Sequence, residues 1–193
     1  MNILKTGVDE VDKKVIDEAI KVMSEGGVVL YPTDTVYGLG ANIFNNSAVR
    51  RVFEIKQRSL LKPLSILVCD KPAVNLVSKV SPEQMKIIDS YLPGPYTLIL
   101  KKKRIVPRVI TSGSTYVGVR IPDNQLACSL ASIFPITTTS ANISDKEVLN
   151  TPKEILEQLD CDVDLVIDAG SLDGRKASVI VDLSEDEPKI IRR

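Results

Sequence analysis

At 193 residues the chain is long enough for one good-sized domain, and 44% hydrophobic against 26% charged residues excludes wholesale disorder. Lysine plus arginine balances aspartate plus glutamate at 25 each, so no global field draws the protein to nucleic acid or membranes and any anion site must be local. The absence of histidine excludes a Ser-His-Asp triad and a His-ligated zinc.

Cys69, Cys128 and Cys161 are dispersed and odd in number, and read as free core thiols of a reducing compartment. No apolar run reaches the roughly 20 residues of a membrane helix, and the N-terminus lacks a signal pattern, so the expected location is the cytoplasm.

In chain order, Val11, Val15, Ile16, Ala19, Ile20, Val22 and Met23 fall at helical spacing, with Asp9 or Asp12 as cap and Gly26-Gly27 as stop. Residues 27–31 read as a buried strand. Beyond it, Pro32-Thr33-Asp34-Thr35-Val36-Tyr37-Gly38-Leu39-Gly40 reads as a polar loop past a strand's carboxyl end, where open α/β sheets bind ligands. A strand-to-turn connection whose threonines cap local backbone is the other reading of the same residues. Asn45-Asn46-Ser47 offers an N-cap for a helix whose last turn, Lys56-Gln57-Arg58, carries cations that suit the helix dipole.

A strand follows at 64–68. Ser81-Pro82-Glu83-Gln84 has the composition of a capping box, and Pro93-Gly94-Pro95 stops that helix. Tyr96–Leu100 reads as a strand running into Lys101-Lys102-Lys103-Arg104. Those cations fit a solvated hairpin, with a nucleic-acid or phosphate contact as the alternative. Strand 116–121 carries Arg120 inside an apolar run, where an arginine either snorkels or meets an anion.

A helix at 126–134, a strand at 136–139 breaking into Ser140-Ala141-Asn142, a capped helix from Thr151 to Leu159, and strands at 164–168, 178–183 and 189–192 complete the pattern. We expect one α/β domain over 1–193, an open twisted mixed sheet of about seven strands flanked by helices.

The polar groups that follow strands are Thr33, Thr35 and Tyr37, then Lys56 and Arg58, Arg120, Ser140 and Asn142, Arg175, Lys176 and Ser178, and Arg192 and Arg193. This set is rich in cations and hydroxyls and poor in bases. It suits binding and charge stabilisation of phosphates and carboxylates. Neither a P-loop run nor a dinucleotide glycine fingerprint is present.

The 32–39 segment resembles the signature of the YrdC-like family, the threonylcarbamoyl-AMP synthases. Lys56-Gln57-Arg58, Lys62-Pro63-Leu64, Leu92-Pro93-Gly94-Pro95-Tyr96-Thr97, Val117-Gly118-Val119-Arg120-Ile121-Pro122, Thr139-Ser140-Ala141-Asn142, and Ser178–Asp182 with Ile190-Ile191-Arg192 resemble further family segments in the same order.

The resemblance implies ATP-dependent synthesis of threonylcarbamoyl-AMP and pyrophosphate from L-threonine and bicarbonate or carbon dioxide, with Mg2+ accompanying ATP. It also implies a downstream tRNA threonylcarbamoyl transferase complex acting at tRNA position 37. Thr33, Thr35, Tyr37 and Arg120 would bind threonine, and Lys56 and Arg58 would make the catalytic contacts to carbamate and phosphates. Ser140, Asn142, Ser178 and Arg192 would complete the nucleotide site; Asp34 is the weaker candidate, because a carboxylate near phosphates needs a metal or an arginine.

Two departures stand out: Ser59 replaces the usual proline after Lys-x-Arg, and Leu67 replaces a histidine of many longer members. The resemblance is to the short form without the longer members' C-terminal domain. The alternative function is a double-stranded RNA or tRNA-binding module without catalysis, resting on the 101–104 cations. Such modules stack bases on aromatics, and this chain has 4% aromatics and no tryptophan.

Overall fold

The computed structural model describes residues 2–8, 12–185 and 187–192. Asp9, Val11 and Arg193, invoked above as cap, helix residue and terminal cation, lie outside them.

Capping chemistry sets most helix starts. Asp12 accepts from the Lys14 N–H to open α1 (Lys13–Ser24), and Asn45 accepts from Ala48 to open α2 (Asn46–Ile55). Asp70, followed by Pro72, opens α3 (Lys71–Val77), a helix the sequence pattern did not reveal. A full capping box on Ser81 and Gln84 opens α4 (Pro82–Tyr91). Asn124 opens α5 (Gln125–Leu130), which stops short of the expected Phe134, and Thr151 opens α6 (Pro152–Leu159).

The strands are β1 (Asn2–Lys5), β2 (Val29–Tyr31), β3 (Gly38–Gly40), β4 (Ser65–Leu67), β5 (Ser78–Lys79), β6 (Tyr96–Lys102), β7 (Tyr116–Arg120), β8 (Ile136–Thr138), β9 (Leu165–Asp168), β10 (Val179–Asp182) and β11 (Lys189–Arg192). They form the expected seven-stranded mixed sheet, ordered β11-β10-β6-β7-β4-β8 with β5 on β6, and in addition a smaller sheet ordered β1-β9-β2-β3. The sequence reading missed β1, β3 and β5. Gly38–Gly40 is not loop: it turns back antiparallel along β2. Its glycines admit the Tyr31 ring, since a Cβ on Gly40 would lie 2.9 Å from Tyr31 Cε1.

The two sheets meet where β3 runs antiparallel beside β8. Gly38 bridges Ser140 and Asn42 bridges Ile136, while the buried Thr137 hydroxyl donates to the Leu39 carbonyl (2.9 Å) and accepts from the Ala41 N–H (3.0 Å). One apolar core lies under α2, α4 and α6 and includes Val49, Phe53, Ile88, Leu98 and Val119. A second, around Tyr31, Leu67, Leu126 and Leu165, packs α1 and α5. Leu67 is fully buried there.

The start of β2 depends on a distant carboxylate. Asp164 Oδ2 accepts from the buried Val28 N–H (2.7 Å) and from Arg51 Nη1 (2.5 Å). Asp164→Ala leaves that N–H without its partner, and we expect a loss of about 1–3 kcal/mol in denaturant unfolding, with Asp164→Asn losing less. Equal loss from both variants would contradict the hydrogen-bond account.

Candidate functional site

Period-two alternation on the large sheet builds the floor of a cleft of about 350 Å³. Thr97 and Ile99 of β6 and Tyr116, Gly118 and Arg120 of β7 point into it, while Leu98, Leu100, Val117 and Val119 of the same strands point into the core. The 33–38 segment forms one end of the cleft, and Arg58, Ser178 and Arg192 contribute to its walls. Gly118 keeps the floor open: a Cβ there would lie 2.4 Å from Ser65 Oγ and 3.1 Å from Thr97 Cγ2.

Arg120 is 4% exposed, and its guanidinium is held by Asp34 Oδ1 (2.5 Å) and Thr35 Oγ1 (2.8 Å). Asp34 therefore does not stand unpaired near an anion; it orients the arginine. Burial pushes Arg120 below the usual guanidinium range, and the Asp34 charge opposes that shift. The Arg120 Nε is buried without a protein partner, so part of the fork remains uncommitted.

Proton accounting fixes the threonines. Thr33 Oγ1 donates to the Val36 carbonyl (2.8 Å) and accepts from the Thr35 N–H, so the 2.9 Å contact between the two hydroxyls is donated by Thr35. Thr35 Oγ1 also accepts from Arg120, which leaves it one acceptor site. Tyr37 lines the cleft with its ring, but its hydroxyl donates to the Gly170 carbonyl (2.8 Å) and accepts from the Ala169 N–H (2.9 Å). Burial pushes that phenol up to about 12. The expected threonine-binding hydroxyl is thus committed to the 169–170 turn.

The Lys-x-Arg spacing has a local explanation. Lys56 caps α2, Gln57 takes a left-handed conformation (φ 47°), and the Gln57 and Arg58 N–H groups bond back to Glu54 and Phe53. This is a Schellman motif, and it sends the two cations apart.

Arg58 lines the cleft, with Nε and Nη2 donating to the Lys62 and Pro63 carbonyls. Burial lowers the Arg58 and Arg192 guanidinium groups from their usual range, and the Arg192 charge lowers Arg58 further. Arg192 Nη2 donates to the Ser178 carbonyl (3.0 Å), and Ser178 shares a 2.9 Å hydroxyl contact with Thr97.

Lys56 goes the other way. It is 1% exposed, and Nζ donates to the Ser140 carbonyl (2.5 Å), the Asn142 carbonyl (2.7 Å) and Asn142 Oδ1 (3.3 Å). Ser140 lines the cleft, whereas Lys56 and Asn142, expected at the nucleotide, are not among its lining residues. Arg175 does not line the cleft either, but its Nη1 donates to the Thr33 carbonyl at the cleft's edge (2.9 Å). Among the basic run, Lys102 and Lys103 donate to the Val106 and Asn75 carbonyls, in keeping with a hairpin.

Sequence reasoning missed Ser65, Thr97, Ser114, Tyr116 and Thr138, all of which line the cleft. The signal for Thr97 and Tyr116 was present as in-out alternation along β6 and β7. Among the described residues, those lining the cleft include three arginines and no carboxylate.

Residues 21–193 match the Sua5/YciO/YrdC family model, whose description is telomere recombination. A Methanocaldococcus jannaschii protein provisionally named a threonylcarbamoyl-AMP synthase is 44% identical over 95% of this chain and 87% of its own. The solved structure of Pyrococcus abyssi Sua5 complexed with L-threonine superposes with a TM-score of 0.91 at 35% identity, over 100% of this chain and 57% of that one. Escherichia coli YciO, an uncharacterised protein, superposes equally well (TM-score 0.91, 30% identity) over 100% of this chain and 96% of its own.

Burial and the neighbouring Arg58 charge push the Lys56 ammonium down from 10.5 to about 7. Between these values the unfolded chain binds the proton and the folded chain does not. Stability from this group is fully present above about 10.5 and is lost as pH falls through about 7. We expect the stability of the wild type relative to Lys56→Met to rise as pH is raised from 7 to 10 in paired denaturant titrations. A pH-independent difference would contradict the shift.

Gly118→Ala should leave the protein folded and weaken ligand binding in the cleft by at least ~10-fold, read by calorimetry, because the new methyl displaces Ser65 and occupies the floor. Unchanged affinity would show that ligand does not lie over Gly118.

Proposed function

The chain belongs to the Sua5/YciO/YrdC family, and from that premise we propose that it is an L-threonylcarbamoyladenylate synthase. The observation that carries this reading is the cleft itself: among the described residues its lining has three arginines, the buried Arg120 among them, hydroxyl groups and no carboxylate, within a chain of zero net charge. Such a surface selects a small substrate with several negative charges and offers no general base.

The reaction needs none. The free amine of threonine adds to carbon dioxide and loses a proton to give a carbamate. A carbamate oxygen then attacks the α-phosphorus of ATP, the bond to the bridging oxygen breaks, and pyrophosphate leaves with the electron pair. The protein's work is alignment and charge neutralisation.

In this scheme Arg120, held by Asp34, meets the threonine carboxylate with its uncommitted N–H groups, and Thr35 accepts from the threonine hydroxyl or amine. Arg58 and Arg192 neutralise the phosphates, with the Ser178 hydroxyl alongside. Among the described residues no cluster of three or more aspartate, glutamate or cysteine side chains could hold a metal, and the cleft lining has no carboxylate. In this scheme magnesium enters as part of the substrate MgATP. A tRNA threonylcarbamoyl transferase complex would consume the product.

Pyrophosphate release from MgATP tests the reading. It should require both L-threonine and bicarbonate, with L-serine and the no-amino-acid control well below. Release independent of the amino acid, or none at all, would contradict it. Arg120→Lys keeps a charge for Asp34 but loses the fork, and should raise KM for threonine roughly 10–100-fold with a small effect on KM for ATP. A selective rise in KM for ATP would reassign Arg120.

A further inference from the structure

Lys56 is a buried cation that the scheme above does not use. Its ammonium has three donors, and all three are taken by oxygens of the 140–142 turn. The turn's other bonds follow from that grip. Asn142 Oδ1, held on Lys56, also accepts the Ser140 hydroxyl at 2.6 Å, while Asn142 Nδ2 donates to the Ile143 and Lys146 carbonyls. The Ala141 N–H donates to the Tyr37 carbonyl, tying the turn to the end of the cleft that carries Thr33 and Thr35. The α2 end is itself fixed to the turn, because the Lys56 carbonyl accepts from the Ser144 N–H (2.8 Å).

This chain of bonds gives Ser140 a direction. Its single proton is spent on Asn142 Oδ1, so the hydroxyl of Ser140, a residue that lines the cleft, keeps acceptor capacity only. Such a group repels a phosphate oxygen and accepts from an N–H or O–H of the substrate. Turning the Asn142 amide over would place its N–H2 against the N–H donors of Lys56 Nζ, so those donors hold the amide, and through it the serine, in one orientation.

We propose that Lys56 is a positioning residue that never touches substrate: it locks the Ser140–Asn142 turn so that Ser140 meets the bound substrate as a hydrogen-bond acceptor. This deepens the synthase reading and rests on it for the identity of the substrate. The lock itself is a property of the fold. An Asn142 kept out of the cleft is part of the same arrangement.

The direct test is NMR on wild-type protein with 15N-labelled lysine and 13C-labelled carbonyls at pH 6.5, where Lys56 carries its charge, with α,β-methylene ATP, magnesium and L-threonine bound. The Lys56 Nζ should keep its correlations to the Ser140 and Asn142 carbonyl carbons. Their loss on nucleotide binding, with coupling of Nζ to phosphorus, would overturn the proposal and make Lys56 a phosphate ligand.

Kinetics give a second arm. Lys56→Met, checked for folding by its thermal transition, should lower kcat roughly 100-fold, the scale of a ~1 Å misplacement, and leave KM for ATP within about threefold. A rise in KM for ATP above about tenfold, or an unchanged kcat, would overturn it. If Lys56→Met does not fold, the NMR result on the wild type decides. Persisting Nζ–carbonyl correlations in a protein that releases no pyrophosphate would refute the synthase reading and leave the positioning role standing.

Discussion

The site depends on the seam between the two sheets. β3 and β8 are each three residues long and run antiparallel beside one another, joined by backbone bonds such as Leu39 N–H to the Thr139 carbonyl and Thr137 N–H to the Ala41 carbonyl. The Thr137 hydroxyl closes the gap by donating to one carbonyl and accepting from one amide of the opposite strand. With that seam fixed, the 33–38 segment lies over the floor made by β6 and β7, and the 140–142 turn emerges beside it. A polar side chain with no exposure at such a place is costly unless both of its functions are met, and here both are.

The second constraint is charge. Among the described residues, three guanidinium groups share a cleft with no carboxylate in its lining, and each is fastened by the protein. Arg120 has a buried acid behind it, Arg58 is bonded to the carbonyls of its own loop, and Arg192 is bonded to the Ser178 carbonyl. Holding the cations in advance means that little reorganisation accompanies anion binding, which is where electrostatic catalysis gains most. Lys56 lies outside that lining, and its N–H donors bond the 140–142 turn without adding a further cation to the cleft.

Local chemistry was legible in the sequence where one or two residues decide the outcome. The caps at Ser81 and Thr151 could be read directly, those at Asp12 and Asn45 to within two or three residues, and the strands of the larger sheet other than β5 from their apolar runs. β3 was illegible because Gly-Leu-Gly has no strand propensity; it is a strand because the Tyr31 ring needs two residues without side chains. α3 was missed because its cap is Asp70 and its apolar pattern is too short to show a period.

At the site, the residue types were legible and their directions were not. Lys56 and Arg58 look alike in sequence, and Gln57 with positive φ parts them. Tyr37 looks like a substrate hydroxyl until its partners at 169 and 170 are known. Sequence carries identity and spacing along the chain, whereas the partners that settle where Lys56 and Tyr37 point lie 84 to 133 residues away.

The central claim is that the cleft joins threonine, carbon dioxide and the adenylate of ATP in one product. Incubating the protein with 13C-bicarbonate, L-threonine and MgATP and analysing the quenched mixture by mass spectrometry tests it most directly. The account predicts an adenylate carrying both threonine and one 13C atom, formed together with pyrophosphate. Unlabelled threonyl adenylate, or AMP with no threonine-containing adenylate at the earliest times, would contradict it.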